Sequence, residues 1–582
     1  MNCTYHVISH THWDREWYLT HQQFRLRLVQ LMDNLLDLLA SDPRFRFFHL
    51  DGQTIVLRDY LEIRPWRRQE IAARVREGRL LIGPWYLQND EFLTSPESTV
   101  RNLLLGRALA REFGEEMRVG YLPDQFGHID QMPQILRGFG IESAVFGRGY
   151  NSGVKGDGGA PARRPAEFLW EAPDGSRVLA INMPTWYNNA QRFPAEPGQA
   201  LALLRKIVRD LEPYNTTGEF LLMNGVDHLE AQENLSAVLE GLQGSLRRDE
   251  RIIHSALPAF VRAVQERLID PPVHRGELRR GSDDEVIPGV ASSRLYLKQA
   301  NNRLENLVEK GLEPLAAWCR LAGSDLDLRD HLRWIWTNLM QNHPHDSISG
   351  CSVDAVHREM MARFAAVEEV AADLLDRAGM VLAARVDRAG LAPERDQLLL
   401  VANTGHHPRT ALIETAVDLP AGDGLSGFVL EDPEGRPVPY IRLGVEKLAR
   451  TIVDPVNLPK EFKVERHHLA FLATDLPAMG YAAYAVRPGE PPPVGGGGDG
   501  AASGPLNILE NAWLRAEIHP DGTFDLLHKP MGRLYAGLHR FEDTADAGDA
   551  YKYRPLEGDA PVWSDGLAAC LVREDGGALY QR

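Results

Sequence analysis

Short apolar runs alternate with helical periods over roughly the first 270 residues, and this alternation restricts the fold more than any other feature of the chain. The segments between the runs place leucine and valine side chains at helical spacing. Strands that alternate with amphipathic helices are typical of a parallel sheet covered by helices. We therefore predict an α/β domain with a parallel sheet over residues 1–275. The clearest strand-like runs are residues 5–8, 119–122, 144–146, 178–181 and 220–223.

The pattern changes twice after this domain. Residues 285–385 carry long stripes of apolar side chains at helical spacing and predict a three-helix middle domain. Residues 395–582 contain short strands and turns, which predict a β-sandwich-like C-terminal region with a Pro/Gly linker near residues 489–505. The last residues give no sign of a completed domain, so we expect this region to be incomplete. The predicted fold class is multidomain.

The charge balance narrows the class of partner. The chain has 64 Lys and Arg against 81 Asp and Glu, a net charge of −17, without a long basic run. This argues against nucleic acid and membranes as partners and favours a small polar ligand. The four cysteines form no CxxC pair, which is typical of a reducing compartment. With no leader and no long apolar run, we expect a cytoplasmic protein and leave self-association open.

Polar side chains follow several of the predicted strands directly. Asp124, Arg148, Tyr187 and Asp227 each come within a few residues of a strand end. In parallel α/β folds the carboxyl ends of the strands share one edge, and ligands bind there. We therefore expect these residues to meet, although each alone is also compatible with a capping or loop role.

Two histidine-rich segments could bind a metal ion. His12 and Asp14 are two residues apart, so in extended chain both side chains leave the same face. Pro344 cannot donate a backbone hydrogen bond, so a tryptophan-containing helix should stop at the loop that carries His345 and Asp346. A solvated polar loop and a helix terminus near its dipole are the alternatives for the two segments.

The candidate residues support more than one chemistry. His12, His345, Asp14 and Asp124 form a donor set suited to zinc and tolerable for manganese or cobalt, with Asp227 left unligated. Such a site could activate water, as in a zinc-dependent carbohydrate deacetylase, or bind sugar hydroxyls while two carboxylates cleave a glycosidic bond. Tryptophans in the same segments favour a sugar. A non-catalytic carbohydrate-binding protein is a third alternative.

Three motifs together resemble glycoside hydrolase family 38, the α-mannosidases. They are residues 10–17 (His-Thr-His-Trp-Asp-Arg-Glu-Trp), 121–128 and 344–350, and they occur in the family's order. The first motif is similar to the bacterial branch that includes mannosylglycerate hydrolases. Residues 542–551 are also similar to a family segment. The resemblance runs from residue 4 to beyond residue 550 and implies a catalytic α/β domain, a three-helix middle domain and a β-rich C-terminal region.

The resemblance also implies an activity and a set of roles. It implies a retaining α-mannosidase with one Zn²⁺, or Co²⁺ or Mn²⁺, acting on terminal α-mannosyl linkages; mannosylglycerate and its 6-phospho form are candidate substrates. Asp124 matches the nucleophile. Asp227 matches the acid/base, although this chain has Gly-Val-Asp where the family often has Gly-Asp-Asp. The implied zinc ligands are His12, Asp14, Asp124 and His345. The implied substrate contacts are Trp17, Arg148, Tyr187 and Asp346.

Overall fold

The computed structural model describes residues 2–151, 163–280, 286–392, 395–422, 427–453, 455–489, 507–566, 568, 575–576 and 580–581. The chain forms two compact units. The first unit comprises Met1–Glu309, Arg329–Ala372 and Gly548–Arg554. The second comprises Lys310–Leu328, Asp373–Ala547 and Pro555–Arg582. The predicted linker near residues 489–505 lies outside the described residues, apart from Gly489.

The strands of the first unit form two sheets. One sheet has the order β3-β2-β1-β8, with β9 also paired to β1, and all of its pairs are parallel. The other has the order β10-β6-β7-β5-β4 and is parallel except between β6 and β7. The strands are β1 (Cys3–Thr11), β2 (Phe48–Leu50), β3 (Leu80–Leu81), β4 (Gly120–Leu122), β5 (Ser143–Phe146), β6 (Glu167–Glu171), β7 (Arg177–Asn182), β8 (Glu219–Asn224), β9 (Glu250–His254) and β10 (Val273–Arg275).

The sequence pattern predicted this α/β class, but it missed the antiparallel pair. Strands β6 and β7 are joined by a tight turn in which the N–H of Gly175 bonds to the carbonyl of Ala172. Gly175 has φ +85°, which suits a residue without a Cβ. An Asp-Gly turn between two apolar runs is a hairpin signal, and a hairpin makes its strands antiparallel.

Helices alternate with the strands of the two sheets, and further helices follow the last of these strands in the sequence. Strand β1 pairs on both edges, and its side chains are buried on both faces of the sheet: Tyr5 and Val7 point to one face and Ile8 to the other. Helix α4 begins where the Ser95 side chain accepts the N–H of Ser98. The helices are α1 (His21–Ser41), α2 (Ile55–Leu61), α3 (Arg68–Arg76), α4 (Pro96–Arg111), α5 (Met132–Gly138), α6 (Pro197–Leu211), α7 (Leu235–Gln243), α8 (Leu257–Arg267), α9 (Leu295–Asn306), α10 (Glu313–Leu321), α11 (Arg329–Met340), α12 (His345–Ile348) and α13 (Asp354–Ala383), with a π-helical stretch at Leu307–Leu312 and 3₁₀ turns at Pro65–Arg67 and Pro288–Ala291.

The second unit is rich in antiparallel strands, as the sequence predicted. Sheets β11-β16-β13 and β12-β15-β14 enclose a core that includes Phe428, Phe471 and Tyr484. Strands β17 to β20 form a four-stranded meander. The strands are β11 (Gln397–Asn403), β12 (Arg409–Pro420), β13 (Phe428–Glu431), β14 (Tyr440–Ile452), β15 (Lys460–Leu476), β16 (Gly480–Pro488), β17 (Ile508–Glu510), β18 (Leu514–Ile518), β19 (Phe524–His528), β20 (Arg533–Leu538), β21 (Glu542–Asp543), β22 (Val562–Trp563), β23 (Asp575–Gly576) and β24 (Tyr580–Gln581); 3₁₀ turns lie at Lys529–Met531 and Ser564–Gly566. Among the described residues, no helix has both the length and the apolar character that crossing a bilayer requires.

A buried histidine on β2 makes the stability of the fold depend on pH. His49 lies opposite His10 of β1, and its Nε2 accepts the backbone N–H of Leu257 at 3.1 Å. Burial lowers the pKa of His49 from 6.5 to about 3, and the neighbouring His10 and His254 add to the fall. Because the unfolded chain takes up this proton first, the stabilisation is complete above about pH 6.5 and is lost as the pH falls towards 3.

A glutamine at this position tests the dependence. The His49→Gln side chain can still accept the N–H of Leu257 but does not titrate. Between pH 7 and pH 5 we expect the wild type to lose about 2 kcal/mol more free energy of unfolding than the variant. The loss begins at the pKa of an unfolded histidine, about 6.5, and the roughly 1.5 pH units from there to pH 5 correspond to that amount. Urea unfolding at both pH values measures the difference, and equal losses in the two proteins would contradict the assignment.

Candidate active site

The end of β1 lies against the end of β8, and a glycine makes this approach possible. The backbone N–H of His12 bonds to the carbonyl of Val226 at 3.2 Å, and the N–H of His228 bonds to the carbonyl of His12 at 2.8 Å. A Cβ at Gly225 would lie 2.0 Å from the carbonyl oxygen of His10, so no larger residue fits. The backbone of Asp227 therefore pairs with that of His12.

Three buried ligand atoms converge beside this strand end. His12 Nε2 lies 2.9 Å from Asp14 Oδ1, and His345 Nε2 lies 3.4 Å from the same oxygen. All three atoms lie within 4.8 Å of one another. They are not aligned for hydrogen bonds, and in the part of the chain that the structure describes none of them has a hydrogen-bond partner. Buried polar atoms are normally paired, so this arrangement fits a divalent metal ion.

The other nitrogens of the two histidines are held by acceptors. His12 Nδ1 lies 3.0 Å from Asp51 Oδ2, and His345 Nδ1 lies 3.2 Å from the carbonyl oxygen of Gln88. A carbonyl oxygen only accepts, so His345 Nδ1 carries a proton, and when the ring is neutral Nε2 keeps the lone pair that a metal ion would need. Asp51 also accepts the backbone N–H of Trp13 at 2.9 Å. Histidines that bind metals are commonly oriented in this way.

The field around the two histidines is strongly negative. Burial would lower the pKa of His345, but Asp346 and Asp124 raise it to about 9. Burial likewise opposes the protonation of His12, yet Asp14 and Asp51 raise its pKa well above the usual range. A positive charge between the two rings is therefore favoured, whether protons or a metal ion carry it.

Asp124 presents its two oxygens to different partners. Its Oδ1 accepts Arg148 Nε at 2.8 Å and the terminal Nη2 at 2.6 Å, whereas Oδ2 lies 3.4 Å from His345 Nε2. Burial would raise the pKa of Asp124, but Arg148 and His345 hold it below its usual value. A Cβ at Gly147 would lie 2.2 Å from the carbonyl oxygen of Pro123, so this glycine lets the Arg148 loop approach Asp124. Asp124 is thus an ionised carboxylate beside the three clustered ligand atoms.

Asp227 lies in a different environment. Its Oδ1 accepts the hydroxyl of Tyr187 at 3.0 Å. Burial raises the pKa of Asp227; His12 acts against this rise, and the charges of Asp14 and Asp124 add to it. The protonated carboxyl of Asp227 is therefore more favoured than that of an exposed aspartate.

The remaining predicted contacts lie on the side of His345. Burial and the charge of Asp14 raise the pKa of Asp346 to about 8, and its Oδ1 lies 3.3 Å from Cys351 Sγ. Trp17 Nε1 donates to the hydroxyl of Tyr551 at 2.6 Å. Tyr551 belongs to Gly548–Arg554, which joins the first unit from the distant end of the chain.

The structure thus brings the predicted residues together apart from Trp17, which bonds to Tyr551, and it adds two more residues. Asp51 and Tyr551 contact predicted site residues directly but were not predicted as site residues. The signal for Asp51 was its position directly after a strand, and for Tyr551 it was the similarity of residues 542–551 to a family segment. Arg148, predicted to contact the substrate, has its guanidinium on Asp124 and over the ring of Trp186, 4.3 Å from the ring centre.

Comparisons with known proteins agree with this description. Residues 2–277 match the glycosyl hydrolases family 38 N-terminal domain, and residues 285–382 match the alpha mannosidase middle domain. A Halalkalibacterium halodurans protein named “Putative mannosylglycerate hydrolase” is 36% identical over 95% of this chain and 64% of its own length. The crystal structure of an alpha-mannosidase from Enterococcus faecalis V583 has 31% identity and a TM-score of 0.89, over 98% of this chain and 66% of that one. A second Enterococcus faecalis structure, of a protein in glycosyl hydrolase family 38, has 28% identity and a TM-score of 0.81, over 99% and 64%.

Fold, site and matches together place this chain in the class of the glycosyl hydrolases. The chain spans about two thirds of the length of these relatives. Within that class it belongs to family 38, the family of the α-mannosidases, as its three motifs predicted.

Proposed function

We propose that this chain carries the active site of a retaining, metal-dependent α-mannosidase that hydrolyses terminal α-mannosyl linkages. The observation that carries the proposal is the contrast between Asp124, whose pKa is lowered, and Asp227, whose pKa is raised. A pair of carboxyl groups whose environments separate their pKa values in this way supplies one nucleophile and one acid.

The reaction follows from these two states. The Asp124 carboxylate attacks the anomeric carbon while the bond from that carbon to the leaving oxygen breaks, and Asp227 gives its proton to the leaving oxygen. A mannosyl ester of Asp124 results. Asp227, now ionised, takes a proton from a water molecule that attacks the same carbon, and the ester bond breaks to restore Asp124. Two inversions at one carbon give net retention of configuration.

The metal ion has a defined place in this proposal. His12, Asp14, Asp124 and His345 would hold it, and their two nitrogen and two carboxylate donors suit zinc and tolerate cobalt or manganese. When bound, the ion acts as a Lewis acid that orients and polarises hydroxyls of the sugar. The three unpartnered ligand atoms support this assignment.

Other side chains would hold the sugar and its leaving group. Tyr187 and Asp346 lie beside the proposed ligands: the rings of Tyr187 and His12 are 5.2 Å apart, and Asp346 Oδ2 is 4.0 Å from His345 Nε2. Together with Trp17 and Tyr551 they would stack on the sugar or bond to its hydroxyls. Arg148 keeps Asp124 ionised and oriented. The name of the Halalkalibacterium halodurans relative leads us to propose mannosylglycerate as the substrate, with its 6-phospho form as the variant to compare.

Hydrolysis of nitrophenyl α-mannoside followed by proton NMR tests the proposal. We expect α-mannose as the first anomer in solution, loss of activity after chelation and recovery after zinc is added back. Initial release of β-mannose would contradict the retaining mechanism. Removal of acetate from an N-acetylated sugar, without hydrolysis of the mannoside, would favour a deacetylase instead.

A further inference from the structure

One buried carboxylate joins the two loops that carry the predicted metal ligands. Glu16 is 0% exposed and lies two residues after Asp14. Its Oε1 accepts the hydroxyl of Ser347 at 2.9 Å, and Ser347 lies two residues after His345. The bond spans 331 positions of the chain and connects the end of β1 to the single turn of α12.

A second bond strengthens the same connection. Arg363 of α13 donates through a terminal nitrogen to Glu16 Oε1 at 2.5 Å and through Nε to Asn342 Oδ1 at 2.7 Å. Asn342 lies just before the turn that carries His345. The backbone N–H of Val353 bonds to the carbonyl of Trp17 at 3.0 Å, on the far side of the turn. The loop is therefore fastened to the β1 end on both sides of His345.

We propose that Glu16 is a positioning residue that sets the separation of Asp14 and His345 and thereby the affinity for the metal ion. The inference rests on the metal site of the proposed function. None of the groups involved touches the proposed reacting atoms: Glu16 acts through Ser347 and Arg363.

The physical reason is the narrow tolerance of metal coordination. Ligand distances must fall within about 0.2 Å of their ideal values, so a small shift of the α12 turn weakens binding. A charged carboxylate that accepts two bonds in a buried site holds that turn more firmly than a neutral amide would. Loss of a group that bonds directly to a metal ligand typically reduces metal affinity about 10- to 100-fold, and Glu16 acts one contact further away, so the lower end of that range applies.

Glu16→Gln keeps the size of the side chain and removes its charge. We expect its affinity for Zn²⁺, measured by competition with a chromophoric chelator, to fall about 10-fold. The absorption spectrum of the Co²⁺-loaded variant should also change, because the ligand geometry changes. Ser347→Ala removes one of the two bonds and should weaken binding less, which provides a second measurement should the first variant not fold.

Glu219→Gln is the matched control. Glu219 is also buried and bonded to basic side chains, His6 at 2.7 Å and Arg267 at 2.9 Å, but it lies at the opposite end of β1 and β8. We expect this variant to lose thermal stability and to keep wild-type Zn²⁺ affinity. Equal losses of affinity in the two glutamine variants, or unchanged affinity in Glu16→Gln, would overturn the role of Glu16 but not the metal site. A wild-type chain that binds no divalent ion would instead overturn the metal site itself.

Discussion

Replacing Asp124 with asparagine is expected to lower kcat for α-mannoside hydrolysis by about 10⁴-fold or more, the scale seen when a nucleophile is removed. The amide cannot form the ester with the anomeric carbon, and it loses the charge that Arg148 stabilises at 2.6 Å. Steady-state kinetics on nitrophenyl α-mannoside measures the loss.

Because Asp124 is also a proposed metal ligand, a loss of activity in Asp124→Asn does not by itself distinguish a nucleophile from a ligand. A second measurement separates the two roles. A fluorinated mannoside with a good leaving group should trap a mannosyl ester on the wild type, which mass spectrometry of the peptide containing Asp124 detects. His345→Ala removes a proposed ligand while leaving the carboxylate, so after incubation with excess zinc it should still give some labelled peptide. Labelling on a different residue, or near-normal turnover of Asp124→Asn, would contradict the assignment.

Replacing Asp227 with asparagine is expected to lower kcat/KM by about 10²- to 10⁴-fold for mannosides with poor leaving groups, the usual range for acid–base catalysis. The effect should shrink for a dinitrophenyl leaving group, which departs without a proton. Azide should then accelerate turnover, because it attacks the ester without a base, and the product should be α-mannosyl azide.

The pH profile gives an independent test of the same residue. The reaction requires the protonated form of Asp227, and its pKa is raised by burial and by the charges of Asp14 and Asp124. Activity should therefore persist above the ordinary carboxyl range and fall as the pH rises through the raised pKa. The falling limb should disappear in the asparagine variant. An unchanged limb would assign that titration to another group.

Much of the fold followed from local pattern. Runs such as residues 178–181 and 220–223 lie in strands because they are apolar over the length of a strand and bounded by polar segments. The antiparallel pairing of β6 with β7 was not predicted, because the Asp-Gly turn between the two strands was not recognised as a hairpin turn. The division into two sheets depends on which strand edges meet, and the spacing of apolar residues in the sequence does not predict that pairing.

In the candidate site, too, some features could be predicted from the sequence and others could not. Residues at the ends of parallel strands, such as Asp124 and Asp227, could be expected to meet because those ends share an edge. Their roles stay predictions. Arg148 and Asp51 also follow strands, so their nearness to the site could be expected, but the pattern does not say that Arg148 pairs with Asp124 or Asp51 with His12. The contact of Glu16 with Ser347 spans 331 positions, and no local signal reveals it.

Gly548–Arg554 joins the first unit although about 175 residues of strand-rich chain precede it, and this has a consequence for the order of assembly. On the ribosome, the predicted metal ligands are complete once His345 has emerged, whereas Tyr551 reaches Trp17 only after more than two hundred further residues have been made. A nascent chain stalled after α13 and before Tyr551 should bind zinc yet lack the bond between Trp17 and Tyr551.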